Sequence, residues 1–133
     1  MLQLMKYLLT LLLLISSLSF GDWGDTYFCS MNTLMEVKPD NEKMTYQLQT
    51  FKFRLDKQKN AVVFPETEKQ QYFSSYEVPI GYENMADDRW IAHGLFFGTI
   101  TFVEGTFFHS GSGPDDDGNL TLLNIIADCE KFD

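Results

Sequence analysis

The sequence has little positive charge. Ten Lys and Arg stand against 19 Asp and Glu, for a formal net charge of −9. Nucleic-acid binding needs clustered Lys and Arg to neutralise phosphates, and the sequence contains no such cluster. The composition therefore excludes a nucleic-acid partner. With 133 residues, 44% of them hydrophobic and 15% aromatic, the chain is suited to one domain with a buried core.

Long apolar runs are missing after the first twenty residues. Before that point, Met1–Lys6 carries one positive charge, Tyr7–Ile15 is almost all Leu, and small residues follow at Ser19 and Gly21. This pattern is typical of a signal peptide cleaved after either small residue. An uncleaved anchor is the alternative, but the dense run is about half of the 18 to 20 residues that a spanning helix needs.

We therefore predict a signal peptide over residues 1–21, a single domain over residues 22–133 and a secreted or periplasmic location. Cleavage removes one Lys and no acid. The mature domain then has 9 basic and 19 acidic residues, and its net charge is −10.

Cysteine is scarce, because the sequence has only Cys29, near the start of the mature domain, and Cys129, near its end. An exported chain meets an oxidising compartment, so we predict one disulfide between them. Two free thiols are the alternative. A zinc site is disfavoured because the two Cys and two His lack the close spacing of zinc ligands.

Helical periodicity is also missing from residues 22–133. Apolar and polar residues alternate, and Gly, Pro, Asp and Asn interrupt the chain about every ten residues, which indicates an all-β fold. Strands are predicted over 26–37, 44–56, 61–64, 72–80, 90–98 leading into 99–103, 106–109 and 120–129. A bulge near Gln49–Thr50 would turn Tyr46 and Leu48 toward the core, and Pro79 would end its strand or set it at an edge. Residues 81–88 and 110–119 are predicted as loops.

About seven strands favour an antiparallel meander, closed into a barrel or folded as a β-sandwich. Cys29 lies in the first predicted strand and Cys129 in the last, and a disulfide requires Cα atoms within about 7 Å of each other. Closing a meander makes its first and last strands neighbours, so we favour the barrel. Several strands have only five or six residues, so we expect no stable membrane insertion.

The sequence lacks familiar catalytic motifs, with no G-x-S-x-G elbow and no H-E-x-x-H pair. His93 and His109 could form a ligand pair or supply a general base, but half-buried histidines beside aromatics are the favoured interpretation. The pairs Asp87–Asp88 and Asp128–Glu130 fit a solvated surface better than a glycosidase. No catalytic residue is predicted, and a small hydrolase is the third choice of function.

One acidic loop has part of the spacing of a calcium loop. Asp115, Asp117 and Asn119 place oxygens at alternate positions, but Ile126 stands where an EF-hand has its bidentate Glu. A solvated turn rich in Asp and Gly is favoured, with a weak structural calcium site as the alternative. No other cofactor is predicted.

Aromatic residues exceed what one inward face of a small sheet needs. The doublets Phe96–Phe97 and Phe107–Phe108 must point to opposite faces, so one member of each faces outward unless both faces are covered. An apolar pocket or a partner patch would use such residues. A core thickened by bulges and bends is the structural alternative, which the pattern favours. The candidate ligand or partner residues are Trp90, Phe96, Phe97, Phe107 and Phe108.

Several short segments resemble other sequences. They are the Leu-rich start, Tyr27–Cys29, the runs Phe51–Asp56 and Asn60–Phe64, and the ending Ala127–Phe132. In these segments the chain resembles uncharacterised small exported proteins of marine bacteria. The resemblance implies a bacterial periplasmic or secreted location and assigns no functional residue.

Together these features predict an exported, non-enzymatic β-domain. We expect it to bind either an apolar small molecule or an envelope or extracellular protein partner. The alternative is a structural or interaction protein without a ligand.

Overall fold

The structure is a computed structural model that describes residues 2–15, 22–68, 72–114 and 117–132. The N-terminal Leu-rich stretch forms a helix, α1 (Leu2–Ile15). Among the described residues, no helix combines the length and the apolar character needed to cross a bilayer. The predicted cleavage sites, Ser19 and Gly21, lie outside the described residues, so the signal peptide stays a prediction.

The rest of the described chain is almost entirely antiparallel β structure. A single 3-10 turn, Met85–Asp87, interrupts it. The strands are β1 (Thr26–Val37), β2 (Lys43–Thr45), β3 (Thr50–Asp56), β4 (Ala61–Phe64), β5 (Tyr76–Asn84), β6 (Arg89–Gly94), β7 (Gly98–Val103), β8 (Thr106–Pro114) and β9 (Leu120–Phe132). The all-β prediction is confirmed.

Eight of these strands close into a barrel, with β2 as one extra strand. Strand β1 closes it, because one of its edges pairs with β9 along almost its whole length. Its other edge is shared between β3, opposite Thr26–Ser30, and β2, opposite Met35–Val37. The barrel is therefore confirmed over the β-sandwich.

The predicted disulfide lies at this closure. Cys29 of β1 is directly opposite Cys129 of β9, with their Cα atoms 4.0 Å apart and their sulfurs bonded. The predicted disulfide is confirmed, and the bond joins the first and last strands of the barrel.

Three strand predictions are wrong in their detail. The predicted run from 90–98 into 99–103 is two strands, β6 and β7, joined by a turn at residues 95–97. The predicted strand 44–56 is broken into β2 and β3, and Tyr46 and Leu48 in the break are exposed rather than turned to the core. Strand β5 runs past Pro79 to Asn84, through part of the predicted 81–88 loop. Position 79 tolerates proline because β4 pairing stops there, opposite Ala61, and β6 pairing begins one residue later.

The predicted loop 110–119 is also too long. Strand β8 continues to Pro114, because Ser110–Pro114 pairs with Leu120–Asn124 of β9. Because of this extension, the paired ends of β8 and β9 project beyond the rest of the barrel on one side. The Gly- and Ser-rich stretch therefore becomes a wall of the candidate site described below.

Alternation decides which residues fill the barrel. In β3 the burial pattern places Phe51, Phe53 and Leu55 inside and the residues between them outside. The other long strands add inward rings, and seven large aromatic side chains are fully buried. They are Phe51, Phe53, Phe64, Phe73, Trp90, Phe102 and Phe107. The interior is thus a packed aromatic core, as in other barrels of this size.

Candidate functional site

The five aromatic candidates do not form one surface. Trp90 and Phe107 belong to the packed core: the Trp90 ring stacks on Phe102 with centroids 5.0 Å apart, and both candidates are fully buried. A ligand could reach them only by displacing the core. Their aromatic character serves stability, which is the alternative that the sequence left open.

Phe108 lies on the outer wall of the barrel, 48% exposed, where it faces Thr101 of β7 and Ile126 of β9. Because Phe107 points inward, the two members of this doublet do lie on opposite faces, as predicted. Together with Thr101 and Ile126 it lines an apolar cleft of about 310 Å³ on the outer wall, which is separate from the cleft described below but also touches His109.

The doublet Phe96–Phe97 lies in the turn between β6 and β7, at one end of the barrel. Phe97 folds inward, and its ring centroid lies 5.6 Å from that of Phe73, 5.4 Å from Tyr76 and 4.7 Å from His109. Phe96 points away and is 96% exposed. The prediction that one member faces outward holds here too.

Glycine makes this turn possible. Gly98 has a φ of +99°, which disfavours residues with a Cβ, and a Cβ at this position would lie 2.3 Å from the Ser110 carbonyl oxygen. At Gly111 of β8, a Cβ would lie 3.0 Å from the Phe97 carbonyl oxygen. The turn and β8 therefore pack backbone to backbone, which fixes the position of Phe97.

A cleft of about 230 Å³ opens at this end of the barrel, and we call it the mouth cleft. Aromatic rings from two separate segments form much of it, and the extended end of β8 with the start of β9 completes it. The lining residues are Tyr72, Phe73, Tyr76, Phe96, Phe97, His109, Gly111, Ser112, Gly113, Pro114, Thr121 and Leu123. It thus brings together two of the predicted residues, Phe96 and Phe97, with several that the prediction omitted.

His109 is the main polar side chain at the inner end of this cleft. It is only 5% exposed, and its Nε2–H donates to the Phe97 carbonyl oxygen at 2.7 Å. Since a carbonyl can only accept, the proton is on Nε2 and the neutral ring has its lone pair on Nδ1. Within the described chain, Nδ1 has no hydrogen-bond partner.

Burial lowers the pKa of His109 below its usual value near 6.5, although its hydrogen bond to Phe97 acts in the opposite direction. At neutral pH the ring is therefore uncharged. The mouth cleft consequently presents rings, hydroxyls and backbone groups, and none of its described lining residues is a Lys, Arg, Asp or Glu.

A second cleft, of about 450 Å³, adjoins the first and shares Tyr72, Pro114, Thr121 and Leu123 with it. We call it the charged cleft, because Glu36, Lys38 and Asp117 also line it. Burial raises the pKa of the Tyr72 hydroxyl, and the Glu36 carboxylate raises it further. Negative potential from Glu36 thus reaches the wall between the two clefts.

The two histidines lie on opposite faces of the barrel wall. His93 of β6 is exposed and its Nδ1 lies 2.9 Å from the Thr99 hydroxyl, whereas His109 points inside. In the described part of the chain, neither ring is hydrogen-bonded to a carboxylate. The arrangement that a His-based hydrolase needs is therefore not assembled by these residues.

The remaining acidic candidates are separate from the mouth cleft or incompletely described. Asp117 and Asn119 lie exposed in the turn between β8 and β9, and Asp115 lies outside the described residues. Across the described ranges, no three His, Cys, Asp or Glu side chains form a group that could hold a metal ion. Asp88 accepts a hydrogen bond from the Tyr27 hydroxyl at 2.8 Å, and burial raises its pKa.

One sequence signal bears on the mouth cleft, namely the expected inward and outward split of Phe96–Phe97. Tyr72 and Tyr76 lie in the predicted strand 72–80 with nothing to mark them, and the sequence around His109 fits a half-buried structural residue. Only the folded barrel brings them within one cleft.

Comparison with known proteins adds no relative from which a function could be transferred. No protein-family model, no curated protein and no solved structure matches this chain.

Proposed function

We propose that this protein is an exported, non-enzymatic binding domain whose mouth cleft holds a small apolar group. The observation that carries the proposal is the cleft itself, where five aromatic side chains and one buried, uncharged histidine meet at the barrel end. Concave sites lined by aromatic rings, with a few placed polar groups, are typical of ligand pockets. The mouths of β-barrels are among their usual locations.

The volume limits the size of the bound group. At about 230 Å³, the mouth cleft is smaller than the pockets of about 300 to 1,000 Å³ that bury drug-sized ligands. The mouth cleft is therefore suited to one ring or one short branched chain, with any larger remainder lying in the charged cleft.

The extracellular or periplasmic location is part of the proposal. A disulfide that joins the first and last barrel strands is expected in an oxidising compartment. The Leu-rich helix α1 has the composition of a signal peptide core. In this proposal the functional unit is residues 22–133.

The proposal can be tested by NMR titration with benzyl alcohol, which carries one ring and no charge. We expect shifts at the Tyr72, Tyr76 and His109 ring resonances. Phe97→Leu should weaken binding about threefold to tenfold, because it removes the inward ring that lies beside Tyr76 and His109. Phe132→Leu is the matched control, since this exposed ring lies at the far end of β9 from Thr121 and Leu123, and it should leave affinity unchanged.

Two outcomes would refute the proposal. One is the absence of shifts at the mouth resonances at saturating probe. The other is an equal loss of affinity in both Phe variants, since binding would then not depend on the mouth.

A further inference from the structure

We infer that the group held in the mouth cleft is an organic cation with an apolar, weakly hydrated head, of the alkylated ammonium class. The inference rests on the proposed function and narrows its ligand chemistry. It follows from the arrangement of rings and charges around the two clefts.

Four aromatic rings lie close together in this cleft, and such a head would contact Tyr72, Tyr76 and Phe97, because Phe73 is only 1% exposed. The centroids of Tyr72 and Phe73 are 5.6 Å apart, those of Phe73 and Phe97 are 5.6 Å apart, and those of Phe97 and Tyr76 are 5.4 Å apart. A cation within about 6 Å of a ring centroid is attracted by the negative face of the ring. With spacings of this size, a single small cation in the cleft lies within reach of more than one ring.

Among its described lining residues, the cleft has no group that would repel a cation. Its described lining contains no Lys or Arg, and the only histidine, His109, is uncharged because burial disfavours its protonated form. An anion in the same position would lose its hydration without gaining a positively charged partner, which is costly. Anionic ligands are therefore disfavoured in this cleft.

A ligand would reach the mouth cleft through the charged cleft, where negatively charged groups outnumber positively charged ones. Two carboxylates, Glu36 and Asp117, line that cleft together with one ammonium group, Lys38. The chain as a whole carries a net charge of −9, which raises the local concentration of cations and speeds their association. A neutral ring would fill the mouth cleft equally well but would gain nothing from these charges.

The inference is tested with two probes that share a shape and differ in charge. Choline carries a trimethylammonium head, and 3,3-dimethylbutan-1-ol is its uncharged carbon analogue. Both are titrated into the protein purified from its exported fraction, at constant ionic strength, with the Tyr72, Tyr76 and His109 ring resonances as the readout. We expect choline to bind about 2- to 30-fold more tightly, the range that corresponds to one cation–π interaction.

Strand β5 supplies a matched pair of variants. Tyr76 lies in the mouth cleft and is 51% exposed, whereas Tyr82 lies outside it and is 54% exposed. Tyr76→Leu keeps apolar bulk but removes the ring, so it should weaken choline binding and change the affinity for the alcohol by less than twofold. Tyr82→Leu should leave both affinities unchanged.

The outcomes separate this inference from the proposed function. If the alcohol binds as tightly as choline, the cation inference is overturned while the mouth remains a site for neutral groups. If neither probe shifts the mouth resonances, both proposals fall. If Tyr82→Leu weakens choline binding as much as Tyr76→Leu, cation recognition does not occur at the mouth and the inference is overturned.

Discussion

The Cys29–Cys129 disulfide allows a quantitative test of how this barrel is stabilised. The two residues are 100 positions apart in sequence, so the bond closes residues 29–129 into one loop. In the chain-entropy model, a loop of about 100 residues stabilises the folded state by about 4.7 kcal/mol, because the unfolded chain has fewer conformations. A domain of this size has a total stability of roughly 5 to 15 kcal/mol. Loss of the bond should therefore remove a third or more of the stability.

The perturbation is the double variant Cys29→Ala/Cys129→Ala. Its barrel should still close, because β1 and β9 remain hydrogen-bonded from Thr26 to Val37 on either side of the substituted pair. The effect should therefore appear in the unfolded state and not as a change of fold. Far-UV circular dichroism of the native variant should match that of the oxidised protein.

The assay is urea denaturation followed by the fluorescence of the buried Trp90 and by circular dichroism. With a slope of about 2 kcal/mol per molar urea, a loss of 4.7 kcal/mol lowers the midpoint by roughly 2 M. The slope itself should rise, since an uncrosslinked unfolded chain exposes more surface. Dithiothreitol should destabilise the wild-type protein by a similar amount and should have no effect on the double variant.

A loss below about 1 kcal/mol in both the reduced protein and the double variant would refute the reasoning. It would mean that the unfolded chain already keeps its ends close together without the bond, so that loop entropy is not what the disulfide changes. If the double variant loses stability and its native circular dichroism spectrum also changes, the effect lies instead in the folded pairing of β1 with β9.

Two further predictions concern the mouth. The pKa of His109 is lower in the folded state than in the unfolded chain, where it is near 6.5. As the pH falls below about 6.5, the unfolded chain binds a proton that the folded state does not. The free energy of unfolding should therefore decrease toward the folded pKa, by up to about 1.4 kcal/mol per pH unit. Urea unfolding at pH 7.5 and pH 5.5 should show this loss in wild type and in His93→Gln but not in His109→Phe; an unchanged loss in the last variant would assign it to other groups. Gly98→Ala should lower stability by about 2 kcal/mol or more, because of its φ of +99° and a clash with β8, whereas Gly113→Ala, where a Cβ meets nothing within 4 Å, should change it by less than about 0.5 kcal/mol. Equal melting temperatures for the two Gly variants would contradict the close approach at the turn.

Local patterns predicted much of the barrel because alternation and turn residues act within one strand. Strands β1 and β4 have the predicted bounds, and the position of Cys29 and Cys129 in the first and last strands indicated closure. The errors occurred where pairing overrides composition. Ser110–Pro114 looks like a loop because of its Gly and Ser, but β9 lies beside it and supplies backbone partners.

The candidate site was less predictable for a related reason. Tyr72, Tyr76, Phe97 and His109 come from three separate parts of the chain, and nothing in their local sequence distinguishes a ring at the mouth from a ring in the core. Phe73 and Phe107 illustrate the limit: both are fully buried, but only Phe73 also lines the cleft. Whether a buried ring lines the cleft depends on its position along the barrel axis. The alternation of apolar and polar residues predicts only whether a side chain points into or out of the barrel.

The high aromatic content and the location of the cleft have one physical cause. An eight-stranded barrel has an interior just wide enough for side chains, and here large rings such as Phe53 and Trp90 fill it. The ring stack can continue only to the point where the strands end. At that point Phe97 covers the core from the β6–β7 turn, and the ends of β8 and β9 lie beside it. The mouth cleft is therefore where the aromatic core meets solvent, so the rings that pack the end of the barrel also line the proposed binding site.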